Sequence, residues 1–233
     1  MHHMTKNLTA LALFFALILF PATWAVAGDL EPPSGPAPTM KTLQEIYEKL
    51  EQIDDKIEGG DASVPQTGQT TCWDAGGAVI DCAGTGQDGE LRRGVAWPDP
   101  RFTDNGDGTV TDNLTSLVWL KDANCDGSKT WDNALTFANN LANDQCGLTD
   151  GSASGDWWLP NRRELFSLID DSQFNPALPS DHPFTGVQSS YYWSSTTGAD
   201  GTDGAWYVSM GGGHVLSDDK TGSFPVWPVR AGQ

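Results

Sequence analysis

Hydrophobic residues are spaced differently in three successive parts of this 233-residue chain, and the first part is a continuous apolar run. It extends from Leu8 to Phe20, with Lys6 before it and small residues at 25–27 after it. A membrane-spanning helix needs about 18 or more apolar residues, so this shorter run is typical of an export signal followed by a cleavage site. We predict a signal peptide over residues 1–27, with an uncleaved anchor as the alternative.

The second part spaces its apolar residues three and four positions apart, as in the a/d seam of a coiled coil. A proline-rich stretch at 28–40 precedes it and predicts a linker. The apolar residues are Leu43, Ile46, Leu50, Ile53 and Ile57. A coiled-coil helix over 41–59 has only about two heptads and is not stable alone. The pattern predicts self-association, with a trimer compatible with the isoleucines, or docking of a single helix on its own domain.

Four cysteines lie beyond the predicted signal, and an even count in an exported chain favours two disulfides. Of the three pairings we favour Cys72 with Cys82 and Cys125 with Cys146, because each pair brackets a local element. A zinc site would need Cys-x-x-Cys spacing or nearby histidines, which are absent from the sequence. The first disulfide would pin a hairpin within a neck at 60–93.

The third part, residues 94–233, has short runs of apolar residues separated by glycine and aspartate, which is typical of strands and tight turns. Residues 102–104 and 109–112 flank an Asn-Gly-Asp-Gly segment, a strong hairpin signal, and a third, buried strand is predicted at 117–120. Later strands are predicted at 191–195, 205–210, 214–217 and 226–230.

Two segments between these strands carry the spacing of helices. Thr130 is a predicted cap for a helix that begins at Trp131. The apolar face of this helix is Trp131, Ala134, Leu135, Ala138 and Leu141. Asn161 is the predicted cap of a second helix, whose apolar residues are Leu165, Leu168 and Ile169. Short antiparallel strands with two helices give an α+β fold class.

Charge restricts the classes of partner. The chain has 31 acidic and 13 basic side chains, a formal net charge of -18. Nucleic acid, anionic lipid and sulfated polysaccharide all favour a basic surface, so we expect none of them as partners. Arg162 and Arg163 form only a small basic pair. We expect a secreted, periplasmic or cell-surface protein with no membrane insertion after signal cleavage.

Aromatic residues are the best candidates for ligand contacts, because their rings combine flat apolar faces with a polar edge. Most of the ten tryptophans follow residue 100. The candidate ligand-binding rings are Tyr191, Trp193, Trp206 and Tyr207. The alternative is that some of them fill the core, since Tyr191 and Trp193 would lie on one side of a strand and Tyr192 on the other.

Metal and catalytic chemistry have weaker sequence support. The Asn-Gly-Asp-Gly turn does not have the spacing of an EF-hand calcium loop, so a tight hairpin is the better interpretation. An ion shared between later loops, calcium for example, would use Asp200, Asp203, Asp218 and Asp219; ordinary turn residues are the alternative. No nucleophile, acid and base occur at a recognisable spacing, so we expect no enzymatic activity and no cofactor. A glycosidase-type carboxylate pair is the remaining enzymatic alternative.

Four motifs resemble the signature of the Lcl C-terminal domain-like family of bacterial surface domains. They are residues 102–113, Trp158-Leu159-Pro160-Asn161, Tyr192-Trp193-Ser194-Ser195-Thr196 and Val229-Arg230. The element order also resembles C-type-lectin-like domains, and the Trp-x-Leu-Pro segment is similar to one in formylglycine-generating enzymes. Those enzymes require reactive cysteines in the C-terminal half, and this chain has none after Cys146. The namesake adhesin implies sulfated glycans as ligands, which the acidity of this chain does not favour.

Two functional hypotheses follow. The first is an exported, non-enzymatic binding or adhesion protein that recognises a glycan or cell-surface protein through an aromatic, loop-rich face. Self-association through 41–59 would make it multivalent and offset weak single-site affinity. The second is a structural subunit of an envelope or filament assembly, in which the aromatic surface packs on another subunit.

Overall fold

A computed structural model describes residues 64–232 of the chain. The predicted signal peptide (1–27), linker (28–40) and coiled-coil helix (41–59) lie outside the described residues. Among the residues that are described, no helix is both long and apolar enough to cross a membrane.

The described part is α+β, as predicted, with short antiparallel strands and three short helices. The strands are β1 (Cys72–Trp73), β2 (Val79–Ile80), β3 (Phe102–Asp104), β4 (Thr109–Asp112), β5 (Leu117–Leu120), β6 (Ser128–Lys129), β7 (Tyr191–Thr197), β8 (Gly204–Ser209), β9 (Val215–Asp219), β10 (Phe224–Pro225) and β11 (Val229–Ala231). The helices are α1 (Asp88–Leu91), α2 (Trp131–Asn140) and α3 (Arg162–Phe166).

The predicted hairpin opens a four-stranded sheet with the order β11-β5-β4-β3. Its turn is held by side chains, because Asp104 Oδ1 accepts a hydrogen bond from the Gly106 amide at 3.0 Å and Asp107 Oδ1 accepts one from Thr109 at 3.0 Å. These bonds support the interpretation as a tight hairpin. Strand β11 brings the C-terminal end of the domain back beside β5, with Val229 opposite a tryptophan of that strand.

A second sheet has the order β7-β8-β9, and each of its faces contributes side chains to a hydrophobic cluster. On one face, Tyr192 and Val208 join the main core. Three aromatic rings contact Trp227 there, those of Trp119, Phe184 and Tyr192. On the other face, Trp193 and Tyr207 join a smaller core with the apolar side of α2. The sheet therefore separates two hydrophobic clusters.

The two predicted helices begin where the sequence indicates, but one of them is shorter than expected. Asn161 caps α3 through a capping box, accepting from two amides while the Glu164 side chain accepts from the Asn161 amide. Helix α3 ends at Phe166, so Leu168 and Ile169 are buried after the helix and not on it. Thr130 precedes α2 but makes no side-chain cap.

Both predicted disulfides are confirmed. Cys72 pairs with Cys82 across a sequence separation of 10, and Cys125 pairs with Cys146 across a separation of 21. In the chain-entropy account, closing loops of this size stabilises the fold by roughly 3 kcal/mol each. The second disulfide encloses α2, as the sequence predicts.

Residues 64–69, which belong to the predicted neck, are bonded to the domain that follows. The Gln66 amide donates to the Val95 carbonyl at 3.0 Å, and the Asp171 amide donates to the Thr67 carbonyl at 2.9 Å. Gly68 makes this path possible because it has φ +89° and a Cβ there would lie 2.9 Å from Cη2 of Trp97 and closer still to a carboxylate. The predicted boundary at residue 93 is therefore crossed by backbone hydrogen bonds.

A buried ion pair joins the hairpin to the end of α3. Arg101 Nε lies 2.9 Å from Asp112 Oδ1, and Arg101 Nη2 lies 3.1 Å from Oδ2 of the same carboxylate. Nη2 also donates to the Ser167 carbonyl at 2.8 Å. Both charged side chains are almost completely buried, with 4% and 0% of their surface exposed. Removing either partner would leave an uncompensated charge in the interior.

Replacing Asp112 with Asn keeps the shape of the side chain and removes its charge. We expect the free energy of unfolding in urea to fall by about 3–5 kcal/mol. Lys121→Ala is the matched control, because its ion pair with Asp104 is partly exposed and should contribute little. Equal effects of the two substitutions would show that the buried pair does not anchor the fold.

Gly68→Ala should destabilise the protein more than Gly77→Ala, by about 1–3 kcal/mol. Both glycines have positive φ, but a Cβ at Gly77 meets nothing within 4 Å. The difference between the two stability losses therefore measures the steric clash at residue 68, because both variants have the same cost of placing alanine at positive φ. Urea denaturation measures the loss, and hydrogen exchange at the Gln66 and Val95 amides should locate it. Similar losses for both variants would contradict the close packing of residues 64–69.

Candidate functional site

The four candidate rings do not form one surface. Residues of β8 alternate between the two faces of its sheet, so Tyr207 lies in the smaller core while Trp206 lies on the opposite side. Tyr191 and Trp193 share the side of Tyr207, as the strand period predicts, and both contact Phe224. Trp206 is therefore separated from the other three by the sheet.

Two of the four rings are unavailable to a ligand in this fold, and the sequence prediction is wrong for them. Trp193 is 0% exposed, and its Nε1 donates to the Lys129 carbonyl at 2.9 Å. Tyr207 is 7% exposed, and burial, followed by the nearby Tyr191 and Asp218, raises the pKa of its hydroxyl. The physical reason is that α2 covers this face of the sheet. Tyr191 is partly exposed but lies against Tyr207, with 4.6 Å between ring centroids.

The four candidate aspartates do not form an ion site either. Among residues 64–232, no group of three or more His, Cys, Asp or Glu side chains is placed to hold a metal. Asp219 Oδ1 instead accepts from the Thr221 amide at 2.8 Å, and this hydrogen bond lowers the pKa of its carboxyl. Asp218 Oδ1 accepts from the Asp219 amide. These two carboxylates stabilise a turn, and within residues 64–232 Asp200 and Asp203 do not complete a metal-binding group with them.

Trp206 lines a groove of about 600 Å³, which we call the Trp206 groove. It is lined by α3 and the residues that follow, by segment 64–67 and by Trp97. The aromatic and charged side chains that line it are Trp97, Arg162, Arg163, Phe166, Asp171 and Trp206. Most of the surface inside the groove is apolar.

Helix α3 fixes the cationic side of the groove. Its capping box sets the first turn, and the Arg162 amide donates to Thr196 Oγ1 at 3.0 Å, which ties that turn to β7. The Arg162 guanidinium then lies over the Trp206 ring, with its Cζ 4.4 Å from the ring centroid. A cation in this position is attracted by the negative face of the indole. Phe166, at the end of α3, is 41% exposed.

Trp97 holds the part of the lining that segment 64–67 contributes. Its Nε1 donates to the Gln66 carbonyl at 2.8 Å, which holds segment 64–67 against the domain. The Arg101 guanidinium lies over the Trp97 ring, 4.7 Å from Cζ to centroid. The buried ion pair therefore supports this part of the lining.

One carboxylate, that of Asp171, also lines the groove. Partial desolvation, followed by repulsion from Asp170 and Asp88, raises the pKa of Asp171 even though the residue is largely exposed. Such a group is more easily neutralised than an ordinary aspartate. The groove thus combines a flat apolar surface with two cations and one acidic group, an arrangement suited to a ligand with apolar and polar faces.

Sequence reasoning named Trp206 as a candidate ring and Arg162 with Arg163 only as a small basic pair, and it named none of the other residues that line the groove as a candidate for ligand contact. Trp97 precedes the first strand of the domain, and segment 64–67 belongs to the predicted neck, so no local pattern connects them to α3. Phe166 falls inside the helix that the sequence predicts to continue to Ile169, so the sequence gives no sign that its side chain is exposed at a helix end.

No curated protein matches this chain at a significant level. A family model does match it: residues 108–230, more than half of the chain, fit the Lcl C-terminal domain. The match includes β5, both larger helices, the second sheet and the start of β11, and it contains Arg162 and Trp206. The chain therefore belongs to the Lcl C-terminal domain family, as its four motifs predicted.

Proposed function

We propose that this chain is an exported, non-enzymatic binding or adhesion protein that recognises a glycan or protein partner through the Trp206 groove. One observation carries the proposal: the Arg162 guanidinium stacks on the half-buried Trp206 ring at the edge of an apolar groove of about 600 Å³. Pockets of a few hundred Å³ or more with apolar walls and a few fixed polar groups are typical ligand sites.

The chemistry of the groove favours recognition. A tryptophan that is not fully buried offers a rigid apolar surface at small entropic cost, and an arginine adds directional hydrogen bonds. Among interface residues, these two types contribute binding energy most often. Phe166 and Trp97 extend the apolar surface along the groove. We therefore place the ligand along Trp206, between α3 and segment 64–67.

A C-type-lectin-like scaffold is part of the proposal. The return of β11 to pair with β5 supports it, since this pairing brings distant parts of the domain together, and so does the large share of turns and loops between short strands. On such a scaffold the loops present the binding surface while the paired strands hold them.

Export is the second part of the proposal. Two disulfides support an oxidising compartment, because cytosolic proteins rarely keep structural disulfides. Together with the predicted signal at 1–27, they favour a secreted, periplasmic or cell-surface location. Self-association through the predicted coiled coil at 41–59 would then present several grooves together and raise avidity.

Trp206→Ala should reduce ligand binding by more than about tenfold, the loss expected when a central tryptophan is removed from an interface. Labelled mature protein on a glycan array measures binding, and near-ultraviolet circular dichroism checks the fold. Tyr191→Ala is the matched control because Tyr191 is a partly exposed ring on the other face of the same sheet.

The outcomes of that experiment separate the two hypotheses. Glycan binding that depends on Trp206 but not on Tyr191 supports recognition of a glycan through the groove. If no glycan binds and surface assembly depends on Trp206, the chain is a structural subunit. If Trp206→Ala and Tyr191→Ala change binding and assembly to the same extent, the Trp206 groove is not the functional site.

Light scattering tests multivalency. Residues 28–233 with intact disulfides should form an oligomer at micromolar concentration, because two heptads are stable only when helices associate. Changing Leu50 and Ile53 together to Asp should give a monomer, since charges would enter the apolar seam. Glu48→Lys and Glu51→Lys, which alter polar positions of the same segment, serve as controls. A monomeric unaltered protein would contradict the coiled-coil prediction.

A further inference from the structure

A second, smaller cavity of about 260 Å³ lies between the loop before Trp157 and strand β11. We call it the Asp150 pocket. Its functional side chains are Asp150, Ser152, Asp156, Trp158 and Arg230. It shares no lining residue with the Trp206 groove.

Asp150 is a buried and rigidly held carboxylate. Only 1% of its side-chain surface is exposed. Its Oδ1 accepts from the Ser152 amide at 3.1 Å and from Ser152 Oγ at 2.7 Å. Ser152 Oγ in turn accepts from Nε1 of the buried Trp157 at 3.0 Å. This network fixes the carboxylate through one oxygen, while the other oxygen, Oδ2, is buried beside the pocket without a hydrogen-bond partner.

Arg230 is held beside it by β11. Its Nη2 lies 3.3 Å from Asp150 Oδ2, and its Cζ lies 5.3 Å from the centroid of the Trp157 ring. The distance between Nη2 and Oδ2 is that of an ion pair, but the two groups are not aligned for a hydrogen bond, so Oδ2 has no hydrogen-bond partner. Each side chain therefore has an opposite charge beside it, but Asp150 Oδ2 accepts no hydrogen bond.

Two buried atoms of opposite polarity are therefore unsatisfied at one cavity. Asp150 Oδ2 is an acceptor and Arg230 Nε is a donor, and neither has a hydrogen-bond partner within the described part of the chain. Buried polar atoms are normally paired, and an exception needs a specific explanation such as a ligand or an ordered water. A molecule with a hydroxyl donor and an adjacent hydroxyl acceptor would satisfy both atoms.

Trp158 gives the pocket an apolar side. Its backbone is bonded to Val229 in both directions, at 2.9 and 3.0 Å. Its Nε1 lies 3.3 Å from Glu164 Oε2, to which it donates. The ring is thus fixed from two directions and remains half-buried. A fixed aromatic surface beside a donor and an acceptor suits a ring that carries C–H groups on one face and hydroxyls at its edge.

Charge and size restrict the ligand further. Asp150 and Asp156 outnumber Arg230, so the pocket has an excess of negative charge and disfavours sulfate or carboxylate groups. Its volume is below that of typical pockets for drug-sized ligands. We propose that the Asp150 pocket binds a single neutral sugar ring, with two adjacent hydroxyls on Asp150 Oδ2 and Arg230 Nε and the apolar face of the ring against Trp158.

Saturation-transfer difference NMR tests the proposal on the mature chain with intact disulfides. The probes are methyl α-D-mannopyranoside and methyl β-D-galactopyranoside, which present adjacent cis hydroxyls at different ring positions, with inorganic sulfate as the anionic comparison. At least one sugar should bind with an affinity on the order of millimolar, as expected for a ligand with few contacts. Sulfate should not compete with it.

Two variants assign the binding to this pocket. Asp150→Asn preserves acceptance at Oδ1 and replaces the Oδ2 acceptor by a donor, and it should weaken sugar binding about tenfold. Arg230→Lys keeps the positive charge and removes the Nε donor, so it provides a second test if Asp150→Asn perturbs the fold. Tyr191→Ala is the control and should leave sugar binding unchanged, because Tyr191 lines neither the Asp150 pocket nor the Trp206 groove.

The proposal fails if neither sugar gives saturation transfer at tens of millimolar, which would mean that water alone occupies the pocket. It also fails if folded Asp150→Asn and Arg230→Lys proteins bind as well as the unaltered chain, or if sulfate displaces the sugar. A failure here leaves the function proposed for the Trp206 groove intact, since that function is tested by Trp206→Ala against an array. Loss of sugar binding in Trp206→Ala would assign the sugar to the groove instead.

Discussion

The buried pair of Arg101 and Asp112 is the interaction on which the arrangement of this domain depends. One guanidinium bonds the end of β4, the carbonyl that follows α3 and, through its face, the Trp97 ring. A buried ion pair adds little net stability compared with apolar residues, but removing one of its two side chains destabilises the fold strongly. Its contribution is therefore geometric: the wall formed by Trp97 and the wall formed by α3 are positioned by the same side chain.

The four motifs that resemble the family's signature mostly build the scaffold. Asp112 completes the buried ion pair, Asn161 caps α3, and Val229 joins β11 to Trp158. Trp193, within another motif, is wholly buried. These residues explain why the family is recognisable from sequence, and they also explain why family membership alone does not identify a ligand. The side chains that would contact a ligand, such as Phe166, lie largely between the motifs.

Local chemistry was predictable from the sequence, whereas the faces covered by distant elements were not. The hairpin at 102–112, the Asn161 cap and both disulfides follow from residues close together in the chain, and the structure confirms them. Strand alternation correctly placed Tyr191 and Trp193 on one side of β7. Alternation alone does not show which side of the sheet a helix such as α2 covers. The contact of 64–69 with the loop after α3 joins segments about 100 residues apart, and no local signal encodes it.

Helix α3 connects the two proposed sites physically. Its Glu164 carboxylate accepts from the Asn161 amide in the capping box and from Trp158 Nε1 at the Asp150 pocket, while Arg162 in the same turn stacks on Trp206 in the groove. In a chain with 31 acidic and 13 basic side chains, an arginine held at a cavity strongly distinguishes that place from the rest of the surface. One short capped turn thus fixes a cationic, largely apolar groove and a separate acidic pocket in a constant geometry. A partner that engages both must match two different chemistries at a set spacing, which gives specificity without requiring high affinity at either site.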